Sequence, residues 1–205
     1  MRNPFQYGGV VSGESFCNRT QEAIDLRRSV ENAEKLFVYS ERRLGKTSLI
    51  RKVLAELPEQ EYMTVYIDLW PTDGETSFVL SCAKAFTEAM ASNTDKLLHI
   101  AKTFFGRLVP SITSNDEGRA VISFGFDQKR PDMPLLEEVL AMPAKAAEKI
   151  GKRIVVVFDE FQQILEYESD TVERLLRSSI QHQTDVAYIF CGSRKHLIRE
   201  MFMDS

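Results

Sequence analysis

Lys35-Leu-Phe-Val-Tyr-Ser-Glu-Arg-Arg-Leu-Gly-Lys-Thr-Ser-Leu-Ile50 is the stretch whose reading decides the rest of the chain. The apolar run from Leu36 to Tyr39 reads as a buried strand over residues 36–40. After a polar turn, Gly45-Lys46-Thr47 opens an amphipathic segment in which Leu49, Ile50, Val53, Leu54 and Leu57 share one stripe before Pro58 ends it. Strand, loop, Gly-Lys-Thr and helix in that order make a phosphate-binding loop. Loop amides and a helix N-terminus converge on the anion, Lys46 would bridge the terminal phosphates, and the Thr47 hydroxyl would ligate Mg²⁺. The nucleotide-binding candidates are therefore Ser40, Glu41, Arg42, Arg43, Leu44, Gly45, Lys46, Thr47 and Ser48. The full pattern G-x-x-x-x-G-K-[ST] begins with glycine, and this chain has Ser40 there. A bare Gly-Lys-Thr also occurs at ordinary helix starts, so the flanking strand and helix carry the weight.

The second informative stretch is Arg153-Ile-Val-Val-Val-Phe-Asp-Glu160. Ile154 to Phe158 is uniformly apolar, as suits a strand of a parallel sheet covered on both faces. Two acids follow at once. Downstream of a phosphate-binding loop, Asp159 would hold Mg²⁺ through its water shell and Glu160 would polarise an attacking water. Without that loop the same acids would be no more than the start of a turn. Val186 to Cys191 is a further buried strand, and Gly192-Ser193-Arg194 follows it. Ser193 is a candidate hydrogen-bonding sensor of the terminal phosphate and Arg194 a candidate charge sensor; the plainer alternative is a surface turn with a solvated arginine.

The 205 residues, 43% apolar and 27% charged, suit one globular domain with a sizeable core. No apolar run is long enough to span a bilayer and the start lacks a secretory apolar region, so a cytoplasmic location is expected. Cys17, Cys82 and Cys191 are isolated and read as buried or free thiols; His99, His182 and His196 are scattered, which argues against zinc. A net charge of −4 argues against strong nonspecific nucleic-acid binding. The basic pairs Arg42-Arg43 and Arg51-Lys52 lie beside the loop, where phosphate attraction already accounts for them.

Between these landmarks the chain alternates helical and strand patterns. An aromatic-spaced arm precedes Asn18, which with Gln21 reads as a capping arrangement for a helix bearing Ala23, Leu26, Val30 and Ala33 on one face. Tyr62 to Leu69 reads as a strand whose Asp68 either faces a site or caps the next turn. Phe78, Cys82, Ala85 and Ala89 mark one helix; Leu97, Ala101, Phe104 and Leu108 mark another, closed by Pro110. Alternation at Ile122, Phe124 and Phe126 places a hairpin insertion within residues 111–131. Residues 135–150 are helical with a kink or split at Pro143, and Val172, Leu175, Leu176, Ser179 and Ile180 form one more helical face.

Asn3-Pro-Phe with Gly13-Glu-Ser-Phe-Cys-Asn-Arg19, the Ser40 to Leu49 loop, Phe158-Asp-Glu-Phe-Gln162 and Cys191-Gly-Ser-Arg194 together resemble the archaeal-type ATPase family, AAA+-related members of the STAND group of P-loop NTPases. The resemblance spans nearly the whole chain. It implies a three-layer α/β/α fold around a mostly parallel sheet ordered 5-1-4-3-2, with strands 1 to 4 at 36–40, 62–69, 154–159 and 186–191. Strand 5, a helical lid and a C-terminal winged-helix-like domain would follow, so residues 1–205 are expected to be the nucleotide-binding part of a longer protein. It also implies that Asn18 and Arg19 lie near the adenine, and that ATP or ADP with Mg²⁺ are the cofactors. The family's usual proline after Ser40 is replaced by Glu41. The implied activity is slow ATP hydrolysis by a regulatory domain that acts on a protein partner, with self-association and an arginine supplied by a neighbour left open. The alternatives are a nucleotide-locked scaffold, a DNA-associated ATPase acting through a further domain, and a small-molecule kinase; the last is disfavoured because the acid after Asp159 suits water activation.

Overall fold

Runs of β-branched and aromatic residues fit a pleated surface, and the chain places four of them side by side. The computed structural model describes residues 19–39, 45–91, 94–105, 108–114, 120–126 and 135–193. In chain order these form α1 (Thr20–Glu31), β1 (Lys35–Tyr39), α2 (Lys46–Ala55), β2 (Tyr62–Asp68), α3 (Glu75–Met90), α4 (Thr94–Phe104), β3 (Leu108–Ser114) and β4 (Ala120–Phe126). Then come α5 (Leu135–Leu140), α6 (Met142–Ile150), β5 (Arg153–Asp159), a 3₁₀ helix (Phe161–Glu166), α7 (Thr171–Gln181) and β6 (Val186–Gly192). The main sheet is parallel, ordered β1-β6-β5-β2. This is the 1-4-3-2 part of the expected order.

Because side chains alternate across a strand, β5 and β6 each feed two cores. Val155 and Val157 with Ala187, Ile189 and Cys191 meet Leu26 and Val30 of α1 and Leu49, Ile50 and Val53 of α2. Ile154, Val156 and Phe158 with Val186, Tyr188 and Phe190 meet α3, α5, α6 and α7 on the opposite face. The result is a three-layer α/β/α arrangement. Phe158 lies at the middle of an aromatic stack, 6.4 Å from Tyr188, 5.8 Å from Phe190 and 6.0 Å from Phe78 between ring centroids. No helix among the described residues is long and apolar enough to cross a membrane.

Four expectations are corrected. The α1 cap is Arg19, without a side-chain capping bond, and Asn18 lies outside the described residues. Ala33 is not on the helical stripe: α1 stops at Glu31 and Ala33 takes φ 51°, turning the chain into β1. Leu108 and Pro110 do not extend or close α4; both belong to β3, where Leu108 pairs with Phe126 and Pro110 with Phe124. The antiparallel ladder therefore starts at Leu108, ahead of the 111–131 span. A proline is tolerated there because, among the described residues, β3 pairs with β4 alone and its other edge carries no ladder. Last, Leu57 is buried but lies past the end of α2 at Ala55. Residues 135–150 do split, with α6 carrying Pro143 in its first turn, where its missing N–H costs nothing.

Candidate functional site

Parallel strands all end at one edge of their sheet, and ligands of open α/β folds bind outside that edge. Here the register aligns Tyr39 with Gly192 and Asp68 with Asp159, so the ends of β1, β6, β5 and β2 form one rim. The N-terminus of α2 meets the same rim. Its cap, Gly45, sits in the left-handed region at φ 72°, ψ 20°, a conformation that a side chain would strain. The first helical bond runs from Leu49 N–H to the Gly45 carbonyl at 2.9 Å. Lys46 and Ser48, in the first turn, are buried.

Asp159 organises the site. It continues the face of Val155 and Val157 toward α2, and the residue is only 7% exposed. Its carboxylate accepts hydrogen bonds from the Thr47 hydroxyl at 3.1 Å, from the Glu160 N–H at 3.0 Å, and from the Tyr66 hydroxyl. The Lys46 ammonium stands 3.7 Å away, and it too is buried. A buried carboxylate is tolerated only with such partners. Burial, then the bond to Asp159, pushes the Tyr66 phenol far above its ordinary range, so Tyr66 acts as a donor throughout the physiological range. The Arg51 guanidinium lies over the Tyr66 ring, 4.9 Å from its centroid. Beside them, burial pushes the Cys191 thiol well up, the Asp159 charge adds to this and Lys46 opposes it.

Glu160 leaves the strand in a left-handed conformation, φ 53°, ψ 42°, and caps the 3₁₀ helix. Its Oε2 accepts from the Gln162 amide nitrogen at 2.5 Å, and the Gln162 carbonyl oxygen accepts from the Ser193 N–H at 3.3 Å. Ser193 thus joins the network through its backbone.

The structure brings together Gly45, Lys46, Thr47, Asp159, Glu160 and Ser193. Arg19 ion-pairs with Glu22 within its own helix. Asp68 is exposed and accepts from the Trp70 N–H at 3.0 Å, so it caps the turn. Asn18, Ser40, Glu41, Arg42, Arg43, Leu44 and Arg194 lie outside the described residues. Tyr66 and Gln162 were not foreseen. Tyr66 is opposite Val157 in the ladder, which makes it the diagonal neighbour of Asp159 on the same face. Only the strand register reveals that.

One carboxylate and one hydroxyl, both hard oxygen donors, converge beside a lysine. That set fits a Mg²⁺ held jointly by protein and phosphate rather than in a protein cage. Among the described residues no three His, Cys, Asp or Glu side chains gather into a metal cluster of their own.

The family model for an ATPase domain predominantly from Archaea matches residues 16–205. Among solved structures, a Walker-type ATPase of Pyrococcus abyssi is similar, with a TM-score of 0.59 and 20% identity over 97% of this chain. At that identity the likeness concerns the fold. The match covers 51% of that protein, so this chain spans about half its length. No curated protein matches the chain significantly.

Proposed function

The chain belongs to the family of ATPase domains found predominantly in Archaea, and from that premise we propose that it binds ATP and hydrolyses it slowly with Mg²⁺, as the switch of a STAND- or AAA+-like regulatory protein. The observation that supports this best is the convergence of Lys46, Thr47 and Asp159 within 4 Å, with Glu160 directly beyond. Thr47 and Asp159 would hold the metal, and Lys46 would exchange its Asp159 partner for the terminal phosphates. Bound Mg²⁺ would neutralise charge developing on the phosphoryl oxygens. Glu160 would take the proton of the attacking water as its oxygen bonds to the γ-phosphorus and the bond to ADP breaks. The products are ADP and inorganic phosphate. Ser193, at the tip of β6, is a candidate donor toward that phosphate. ATP or ADP occupancy would be read by a protein partner or by a second copy of the chain.

The test is phosphate release from Mg·ATP over a range of protein concentrations, with nucleotide binding measured in parallel. Lys46→Ala is expected to abolish binding, whereas Glu160→Gln keeps binding and loses turnover. Retained turnover in Glu160→Gln would remove its assigned role. Tightly held nucleotide with no release from the wild type would favour a nucleotide-locked module instead.

A further inference from the structure

Gln162 is a buried polar group at the site to which the proposed reaction gives no role. It is 3% exposed, one of the few buried polar residues among those described. Its carboxamide can be oriented without ambiguity. The Ser193 N–H can only donate, so the Gln162 oxygen must face it; an ionised Glu160 can only accept, so the amide nitrogen must face that. Both requirements are met at once, at 3.3 Å and 2.5 Å. A side chain with a donor and an acceptor on one rigid planar head is what the position demands. A carboxylate would repel Glu160, and an apolar residue would serve neither partner.

The backbone around it is held from both sides. Phe161 is fully buried, 4.6 Å from the Phe190 ring of β6 and 6.0 Å from the Phe158 ring of β5. Glu160 is held in a left-handed conformation that non-glycine residues seldom take, and such strain persists where the surroundings over-determine it. Its carbonyl also accepts from the Gln163 N–H at 2.9 Å. Glu160, Gln162 and Ser193 thus form a hydrogen-bonded chain across the sheet rim, from the end of β5 to the end of β6. β6 in turn is paired with β1, the strand that leads into the phosphate-binding loop.

We propose that Gln162 is a positioning residue: it fixes the Glu160 carboxylate through one oxygen, leaves the other to take the water proton, and ties that geometry to the tip of β6 at Ser193. This deepens the hydrolysis reading and rests on it. A general base works only within hydrogen-bond reach of its proton, and small misplacements are costly.

The test compares wild type, Gln162→Leu and Gln162→Glu by saturating turnover, ADP affinity, melting temperature and amide hydrogen exchange at Ser193. Gln162→Leu removes both bonds; Gln162→Glu keeps an acceptor for Ser193 but turns a negative charge on Glu160. Expected are at least a tenfold fall in turnover for both variants and ADP affinity within about threefold of wild type. Exchange at Ser193 should rise about tenfold or more in Gln162→Leu alone. Turnover within threefold of wild type in a folded variant overturns the proposal, as does a parallel loss of ADP affinity. Should the wild type release no phosphate, the hydrolysis reading fails separately. The positioning role is then decided by Ser193 exchange, and equal exchange in all three proteins refutes it.

Discussion

Replacing Tyr66 by phenylalanine probes the centre of the site with little collateral change. The ring and its packing under Arg51 stay; only the hydroxyl that donates to Asp159 goes. Hydrogen bonds to charged groups contribute about 1.5–3 kcal/mol. Asp159 keeps the Thr47 and Glu160 donors and the Lys46 charge, and Tyr66 is only half-buried, so the low end applies, about 1.5 kcal/mol. For a chain of this size that lowers Tm by about 3–6 °C. The assay is urea unfolding of wild type, Tyr66→Phe, Asp159→Asn and the double variant. If the hydroxyl acts through Asp159, the two losses overlap and the coupling is about 1 kcal/mol or more. A carboxylate freed from this anchor also holds Mg²⁺ less well, so the Mg²⁺ needed for half-maximal nucleotide binding should rise about tenfold, the equivalent of 1.4 kcal/mol. A loss below about 0.5 kcal/mol, or additivity within that margin, would refute the reasoning.

Burial pushes the Cys82 thiol and the Tyr188 phenol well above their ordinary values. Both groups stay protonated in the folded chain, so the stability they contribute is complete below their unfolded pKa values and is lost as pH rises past them. Stability measured from pH 8 to 11 should therefore fall above about pH 9, by up to about 1.4 kcal/mol per pH unit per group, and more gently in Cys82→Ala and Tyr188→Phe. Phe161→Ala empties a fully buried site between Phe158 and Phe190 and should cost about 3–5 kcal/mol by urea unfolding, with turnover falling alongside because Gln162 loses its support. Glu160→Gly should be more stable than Glu160→Ala by about 1 kcal/mol, since only glycine is at ease at φ 53°. Equal stability of the pair would mean that the backbone relaxes out of that conformation.

The main sheet was legible because its strands are apolar runs with few rivals: Ile154 to Phe158 can hardly be anything but a doubly covered strand. The phosphate-binding turn was legible because Gly45, Lys46 and Thr47 stand at the junction of two periodicities. The start of the hairpin is not legible because Leu108 falls four residues after Phe104 and continues the α4 stripe, while Pro110 looks like a stop. Nothing local distinguishes a helix-ending proline from one on a strand edge; the partner, Phe124, decides it, and that pairing is nonlocal. Ala33 misled in the same way, by prolonging a spacing after the hydrogen bonds had ended. Tyr66 was invisible for a different reason. It lies 93 residues from Asp159, and only the β2–β5 register makes them neighbours.

The same alternation of faces explains how two consecutive acids come to have different tasks. Had the strand simply continued, Asp159 would point toward α2 with Val155 and Val157, and Glu160 toward α3 and α7 with Ile154, Val156 and Phe158, into an aromatic core. A carboxylate there would be buried without a charge partner, which is strongly unfavourable. The left-handed turn at Glu160 breaks the alternation at the first residue beyond the ladder. Phe161, the next residue, takes the apolar position instead, and Glu160 meets the Gln162 amide at the rim. The conformation that costs Glu160 its ease is thus the one that keeps its charge at the open edge of the sheet, against the Gln162 amide and with its own N–H on the Asp159 carboxylate.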